Sequence, residues 1–260
     1  MMTCGVDIGS RTISIVLLNG VEIIEFSVVD TGAFPKEKAM ELYESTVHGA
    51  GITRSDIEIT LATGYGRNYF ETGDRVVSEI LCHARGVSYL FPTVKTVIDI
   101  GGQDSKIIEV TENGKVLNFA MNDRCAAGTG KFIEMVSTTL NIPLEETGPM
   151  ALNANGTCEI SSMCAVFAES EIIGLLHQGI SPEVILHGVF KAVARRTLGM
   201  GGRISLSDEI VFTGGVAKNI GVLQALKQEI GTNNIKIPAD PQITAALGAA
   251  LLAAKDLSNK

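Results

Sequence analysis

The sequence predicts an α/β protein made of two duplicated domains, and three segments carry this prediction. Residues 6–20 read V-D-I-G-S-R-T-I-S-I-V-L-L-N-G, and residues 97–115 read V-I-D-I-G-G-Q-D-S-K-I-I-E-V-T-E-N-G-K. The two segments align, with Asp7 opposite Asp99. A third segment, residues 209–219, reads E-I-V-F-T-G-G-V-A-K-N. The strand-turn-strand unit occurs twice in the chain. This repeat predicts two domains, each with one copy of the unit.

Each copy of the repeat predicts a β-hairpin. A β-branched strand leads to an aspartate, a tight glycine turn and a second alternating strand. The Asn-Gly pairs at 19–20 and 113–114 are typical of two-residue loops that close a further hairpin. The third segment predicts a short buried strand, a break at Gly214-Gly215 and an amphipathic helix to about residue 229.

The glycine turns are candidate anion sites, because glycine lets backbone N–H groups approach an anion without a Cβ in the way. Asp7 and Asp99 precede the turns and would face Mg²⁺ through water. An ordinary hairpin with a polar turn is the alternative for a single copy, and the repetition favours binding. The candidate binding residues of the two turns are Gly9, Ser10, Arg11, Thr12, Gly101, Gly102, Gln103 and Asp104.

The segments D-I-G-S-R-T, D-I-G-G-Q-D and F-T-G-G-V-A-K-N resemble the phosphate-1, phosphate-2 and adenosine motifs of the actin, Hsp70 and sugar-kinase ATPase superfamily. The resemblance implies two ribonuclease H-like domains with ATP or ADP in the cleft between them. Gly214, Gly215 and Lys218 would border the adenosine. Gln103 is the candidate for orienting the attacking water, and the catalytic set is Gln103, Asp7 and Asp99.

The composition excludes several function classes. The chain has 260 residues, a net charge of −8 and no cluster of five or more basic residues, which argues against a nucleic-acid or anionic-membrane surface. No apolar run approaches the ~20 residues of a spanning helix, and the N-terminus has no signal-peptide pattern. We therefore expect a cytoplasmic protein with no membrane partner.

The expected first domain covers residues 1–94 and is completed by a C-terminal helix in 242–260. The T-G-Y-G-R segment at 63–67 has two alternative interpretations, which are a structural turn and a loop that lines the ligand cleft. The expected strands of this domain beyond the hairpin are 21–28 and 57–62, and the expected helices are 36–50, 74–89 and 243–254.

The expected second domain covers residues 95–241 and contains the second hairpin and the third segment. Its further expected elements are a strand at 116–121 and helices at 130–140, 165–178, 181–200 and 218–230.

The five cysteines are an odd number without a C-x-x-C pair, so a secreted disulfide framework is not expected. Cys125 in M-N-D-R-C-A-A-G-T-G-K-F and Cys164 in I-S-S-M-C-A-V-F-A-E-S-E each fall at a predicted helix start, where a thiolate is stabilised. Buried small residues are the alternative. A zinc or iron-sulfur site needs about four ligands, and a twofold dimer would supply the second pair. Cys4 and Cys82 are expected in the core.

The cysteine segments, with A-T-G-Y-G-R and I-D-I-G-G-Q-D, resemble the activator ATPases of 2-hydroxyacyl-CoA dehydratases. That family includes the ATPase subunits of benzoyl-CoA reductases and the reductases of double-cubane-cluster proteins. The resemblance implies a homodimer with one 4Fe-4S cluster at the subunit interface, held by Cys125 and Cys164. Cys158 falls outside the motif and is expected to be structural, although it is close enough to substitute.

The same resemblance implies ATP-driven transfer of a low-potential electron to an acceptor enzyme, with ferredoxin or flavodoxin as the donor. The alternative is a small-molecule kinase of the sugar or acetate type, which needs a general-base carboxylate beside a substrate pocket. The paired cysteines and the compact second domain favour the electron-transfer ATPase. A non-enzymatic ATP-binding scaffold is the third possibility.

Overall fold

The structure is a computed structural model that describes residues 1–161, 165–202, 204, 206 and 209–258. It divides into two compact units. Unit 1 comprises Met1–Val97, Ile108–Asn118 and Pro238–Lys260, and unit 2 comprises Ile98–Ile107 and Phe119–Ile237. None of the helices within the described ranges is long and apolar enough to cross a membrane.

Strands and helices alternate along much of the chain. The strands are β1 (Met2–Ile8), β2 (Thr12–Asn19), β3 (Glu22–Asp30), β4 (Ile57–Thr63), β5 (Arg75–Val76), β6 (Thr96–Ile100), β7 (Ser105–Val110), β8 (Val116–Asn122), β9 (Ile210–Thr213) and β10 (Ile235–Lys236). The α-helices are α1 (Pro35–Gly49), α2 (Glu79–Leu90), α3 (Gly130–Leu140), α4 (Leu144–Leu152), α5 (Ala165–His177), α6 (Pro182–Met200), α7 (Ile220–Ile230) and α8 (Thr244–Ser258).

The sheet of unit 1 has the strand order β3-β2-β1-β4-β5, with β1 antiparallel to β2 and parallel to β4. Cys4, Val6 and Ile8 of β1 pack with α1 in one core cluster. The opposite face of the sheet packs against α8, whose side chains cluster with Val16 and Leu18 of β2. Because both faces are covered, β1 and β2 are buried along most of their length.

The small residues of α8 allow it to lie directly on β1. A Cβ built at Gly5 would overlap the carbonyl oxygen of Ala246 and lie 2.6 Å from the Ala250 nitrogen. Only glycine in the strand, facing alanines in the helix, permits this approach. The C-terminal helix is therefore an integral part of unit 1.

The second sheet has the strand order β10-β9-β6-β7-β8, and β9 and β10 are parallel. Unit 2 has one large apolar core, in which β6 and β9 pack against the helices that follow them. Among its fully buried members are Ile98, Ile100, Phe132, Ile185, Val189, Phe190 and Phe212.

The structure corrects the helix predicted over 74–89. The α-helix begins at Glu79, and Arg75–Val76 forms a short strand beside β4. Asp74 fixes this extended start, because its N–H donates to the Thr60 carbonyl (2.8 Å) and its carboxylate accepts from the Thr60 N–H (2.7 Å). A side-chain bond between distant residues therefore overrides the local helical pattern.

Two elements of unit 2 were not predicted, namely α4 and the two-residue strand β10. Helix α4 contains Gly148 and Pro149, which both oppose helix formation. Packing compensates for them, since a Cβ built at Gly148 would lie 2.8 Å from Asn219 Oδ1, and Asn219 Nδ2 donates to Thr147 Oγ1 at 3.0 Å.

The hairpin loops differ from the predicted two-residue Asn-Gly turns. In the first, Asn19 pairs with Glu22, so the loop is residues 20–21 and lies one residue later than predicted. In the second, Thr111 and Lys115 are bonded across a three-residue loop that ends at Gly114, with φ of 71°. This arrangement is the usual alternative to a two-residue loop, with the last residue in the left-handed region.

Candidate functional site

The turn between β1 and β2 is held from one side by the end of β3. The Gly9 N–H donates to the Thr12 carbonyl at 3.0 Å and closes the turn. Thr31 follows β3, and its N–H donates to the Arg11 carbonyl (2.9 Å) while its hydroxyl donates to the Gly9 carbonyl (2.9 Å). Ser10 lies between these anchored residues, so the predicted first binding turn has a fixed backbone.

Asp7 lies at the end of β1 against the T-G-Y-G-R loop. Gly64 has φ of 87°, and a Cβ built there would overlap Asp7 Oδ1 and lie 2.6 Å from the Ile8 carbonyl oxygen. The Gly66 N–H donates to the same carbonyl at 2.8 Å. Tyr65 at the loop tip is 79% exposed. The glycines of this loop therefore have a structural role, which is to let it pack on the strand end that carries Asp7.

The second aspartate, Asp99, contacts charged and polar side chains of unit 2. Its side chain accepts from Thr213 Oγ1 at 2.8 Å and from Lys106 Nζ at 3.2 Å. The same ammonium lies 2.8 Å from Asp104 Oδ2. Lys106 is fully buried and Asp99 is 2% exposed. We call Asp99, Asp104, Lys106 and Thr213 the lysine-carboxylate cluster.

The turn between β6 and β7 joins this cluster to the start of α3. The Gly101 N–H donates to the Asp104 carbonyl at 2.9 Å. The carbonyls of Gly101 and Gly102 accept from the N–H groups of Gly130 (2.9 Å) and Lys131 (2.8 Å), which begin α3. The first N–H groups of a helix have no acceptor inside that helix, so the carbonyls of the turn cap the start of α3. Gln103 is exposed at the turn.

The third glycine segment lies against the end of β6. Gly214 has φ of 84°, and a Cβ built there would overlap the Ile100 carbonyl and lie 3.0 Å from Asp99 Oδ1. A 3₁₀ helix at Gly215–Lys218 leaves Gly215 and Lys218 exposed. Unit 2 therefore brings the second turn and the predicted adenosine segment together.

Cys125 is exposed and its backbone is clamped by one side chain. Asn122 Oδ1 accepts from the Cys125 N–H at 3.1 Å, and Asn122 Nδ2 donates to the Cys125 carbonyl at 2.8 Å. A 3₁₀ helix at Ala126–Gly128 follows, and α3 begins only at Gly130. The predicted helix start at Cys125 is thus a 3₁₀ turn.

The other predicted ligand, Cys164, lies outside the described residues. Ser161, shortly before it, donates its N–H and its hydroxyl to one oxygen of Glu171 on α5, each at 2.8 Å.

The remaining cysteines are poor ligand candidates. Cys4 and Cys82 are fully buried, as predicted. Burial raises the pKa of Cys82 to about 12 and also raises the pKa of Cys4. The Cys158 thiol donates to the Val184 carbonyl at 3.3 Å, and burial, followed by the charge of Glu171, raises its pKa. These raised pKa values favour the neutral thiol at all three positions, whereas the thiolate is the form that binds a metal.

Comparison with known proteins identifies the family. The model of the BadF/BadG/BcrA/BcrD ATPase family matches residues 4–253. The chain belongs to this family. It is 44% identical over 256 residues to the activator of lactoyl-CoA dehydratase from Anaerotignum propionicum, covering 97% of each chain.

Solved structures agree with the family. The activator of the 2-hydroxyisocaproyl-CoA dehydratase from Clostridium difficile, with bound ADPNP, superposes with a TM-score of 0.91 at 39% identity over 100% of this chain and 96% of that one. A ROK family glucokinase from Streptomyces griseus shares the fold alone, with a TM-score of 0.56 at 18% identity over 97% and 99% of the chains. The predicted α/β fold of the actin, Hsp70 and sugar-kinase type and the predicted family are thus confirmed.

Three residues that shape the sites of this ATPase family member were not predicted, namely Thr31, Lys106 and Asn122. Lys106 carried a readable signal, because a lysine inside an apolar strand is rarely buried without a carboxylate partner. The Asn122 contact was also within reach, since an asparagine three residues before a loop residue often bonds the backbone. Thr31 carried no local signal.

Substitution of Gly64 by alanine should destabilise this ATPase family member by about 3 kcal/mol, because the new Cβ would be strained and would overlap Asp7. Gly32→Ala is the matched control in the same unit, since Gly32 also has positive φ (66°) but no atom lies within 4 Å of its Cβ position. It should cost only about 1 kcal/mol. Urea unfolding measures both, and equal losses would contradict the packing of Gly64 on Asp7.

Proposed function

We propose that the chain is a homodimeric iron-sulfur ATPase that couples ATP hydrolysis to transfer of a low-potential electron to a 2-hydroxyacyl-CoA dehydratase or a related acceptor enzyme. One observation carries the proposal. The carbonyls of the Gly101-Gly102 turn bond the first N–H groups of α3, five residues after the exposed thiol of Cys125. Direct hydrogen bonds thus join a nucleotide-type turn to the helix that begins five residues after a candidate cluster ligand.

ATP is the nucleotide that the family and the ADPNP-bound relative support. We assign its phosphates to the turns at residues 9–12 and 101–104, and its adenosine to Gly214, Gly215 and Lys218. Gln103, exposed on its turn, would orient the attacking water through its neutral amide. The two ATPase domains would be residues 1–94 with 242–260, and residues 95–241.

Mg²⁺ fits the carboxylates at the two strand ends, because it takes oxygen ligands and usually keeps several waters. Asp7 and Asp99 would accept hydrogen bonds from those waters. Asp99 is suited to this indirect contact, since its burial leaves it little direct access to a ligand.

A 4Fe-4S cluster fits Cys125, which differs from the other described cysteines in being exposed. Asn122 fixes the Cys125 backbone by bonding both its N–H and its carbonyl. With Cys164, each chain would supply two of four ligands, so a twofold dimer completes the set. The bound cluster would supply the low-potential electron, and a ferredoxin or flavodoxin would reload it.

Anaerobic purification of the whole chain tests this function. We expect a brown dimer with about four iron atoms and Mg²⁺-dependent ATP hydrolysis. We also expect electron transfer to a dehydratase of the family that the relatives activate. A colourless, metal-free protein that phosphorylates a small molecule would contradict the proposal.

A further inference from the structure

Lys106 is buried in a way that needs an explanation. Its ammonium has no solvent exposure and lies within ion-pair distance of two carboxylates, Asp99 at 3.2 Å and Asp104 at 2.8 Å. Placing a charge inside a protein costs several kcal/mol unless it is paired. The two carboxylates supply the pairing that this buried ammonium requires.

The two aligned hairpins differ at this position. Ser14 takes the place of Lys106 in the first hairpin, and its hydroxyl donates to the Gln242 carbonyl at 3.1 Å. At this position the second hairpin carries a cation and the first carries a neutral hydroxyl. With Lys106 present, the Asp99, Asp104 and Lys106 side chains together have one net negative charge.

The cation also controls the backbone of the turn. Asp104 receives the Gly101 N–H at its carbonyl and the Lys106 ammonium at its carboxylate. A Cβ built at Gly101 would lie 2.6 Å from Asp104 Oδ1, so this carboxylate also packs directly on the turn. Loss of Lys106 would leave two carboxylates repelling each other across that backbone.

We propose that Lys106 is a positioning residue for ATP hydrolysis, which holds Asp99 and Asp104 in one arrangement and lowers the negative charge beside the turn that receives the phosphates. This inference rests on the proposed ATPase function. Lys106 would act through the carboxylates and the turn, because its partner Asp104 packs on Gly101.

The test is a charge-rescue series assayed for MgATP hydrolysis. Lys106→Met should raise KM for MgATP by about tenfold or more, because an added negative charge repels the phosphates. Lys106→Met combined with Asp104→Asn restores the net charge of the cluster and should bring KM back to within about threefold of wild type. Lys106→Arg should also keep a low KM.

Lys236→Met is the matched control, because Lys236 in the same unit forms a half-exposed ion pair with Glu209 at 3.3 Å. It should change neither KM nor kcat. An unchanged KM in Lys106→Met would overturn the inference, and so would a folded double variant whose KM stays high. If the single variant does not fold, the double variant decides alone. A wild-type protein that hydrolyses no ATP would instead overturn the proposed function itself, and this inference with it.

Discussion

A Cys125→Ser variant, prepared without oxygen, is expected to lose about nine-tenths of the iron bound by the wild-type dimer, because an iron-sulfur cluster is held by thiolates and a hydroxyl is a poor replacement. Each dimer would lose two of its four ligands through this one substitution. Iron analysis and the visible absorbance of the purified protein measure the loss. The unfolding transition of the iron-free protein should change little, because Cys125 is exposed and its contacts with Asn122 involve only backbone atoms.

The chain provides its own controls for this experiment. Cys158→Ser retains a hydrogen-bond donor for the Val184 carbonyl, and we expect it to keep its iron. Cys82→Ser should lower stability through the fully buried site but leave iron bound by the folded protein. Iron lost equally from Cys125→Ser and Cys158→Ser would contradict the ligand assignment. Full iron in a monomer would contradict the shared site.

The fold was predictable where local signals and long-range contacts agree. The hairpins around Asp7 and Asp99 combine β-branched strands with tight turns, and both formed as expected. Helix α4 was not predictable, because Gly148 and Pro149 oppose it locally and the compensating bond comes from Asn219, far along the chain. The short strand at Arg75–Val76 depends in the same way on the contacts between Asp74 and Thr60.

The residue types of the candidate site were predictable, but their environments were not. Asp7 and Asp99 occupy the same place in the repeat, yet Asp99 lies beside a buried lysine and Asp7 packs on Gly64. The sequence repeat predicts equal roles for the two aspartates, because it shows which residues of the two turns correspond and not which side chains pack around them. Lys106 was within the quoted motif, and only its burial between two carboxylates shows its importance.

Exchange of ADP for ATP is expected to change the rate of electron transfer by about a hundredfold. This factor corresponds to a difference of about 3 kcal/mol between the nucleotides in their preference for one of two forms of the protein. The structure supplies a route. Phosphates would bind at the turn that contains Gly101 and Gly102. The carbonyls of the same two residues accept hydrogen bonds from the N–H groups of Gly130 and Lys131. Hydrogen exchange with ADPNP should therefore slow across residues 126–131 relative to ADP, while α1 serves as the comparison region.

Gly130→Pro tests whether these bonds carry the coupling. Proline is tolerated at the first helical position, and Thr129 before it is already extended (φ −136°, ψ 171°), but proline removes the N–H that bonds Gly101. Gly130→Ala keeps that N–H and is the matched control. Stopped-flow transfer from the reduced protein to its acceptor should be faster with ATP than with ADP in wild type and Gly130→Ala, and nearly equal in Gly130→Pro, with iron and ATP hydrolysis retained. Equal rates in the wild type with ATP, ADP and no nucleotide would show that hydrolysis is not coupled to the electron.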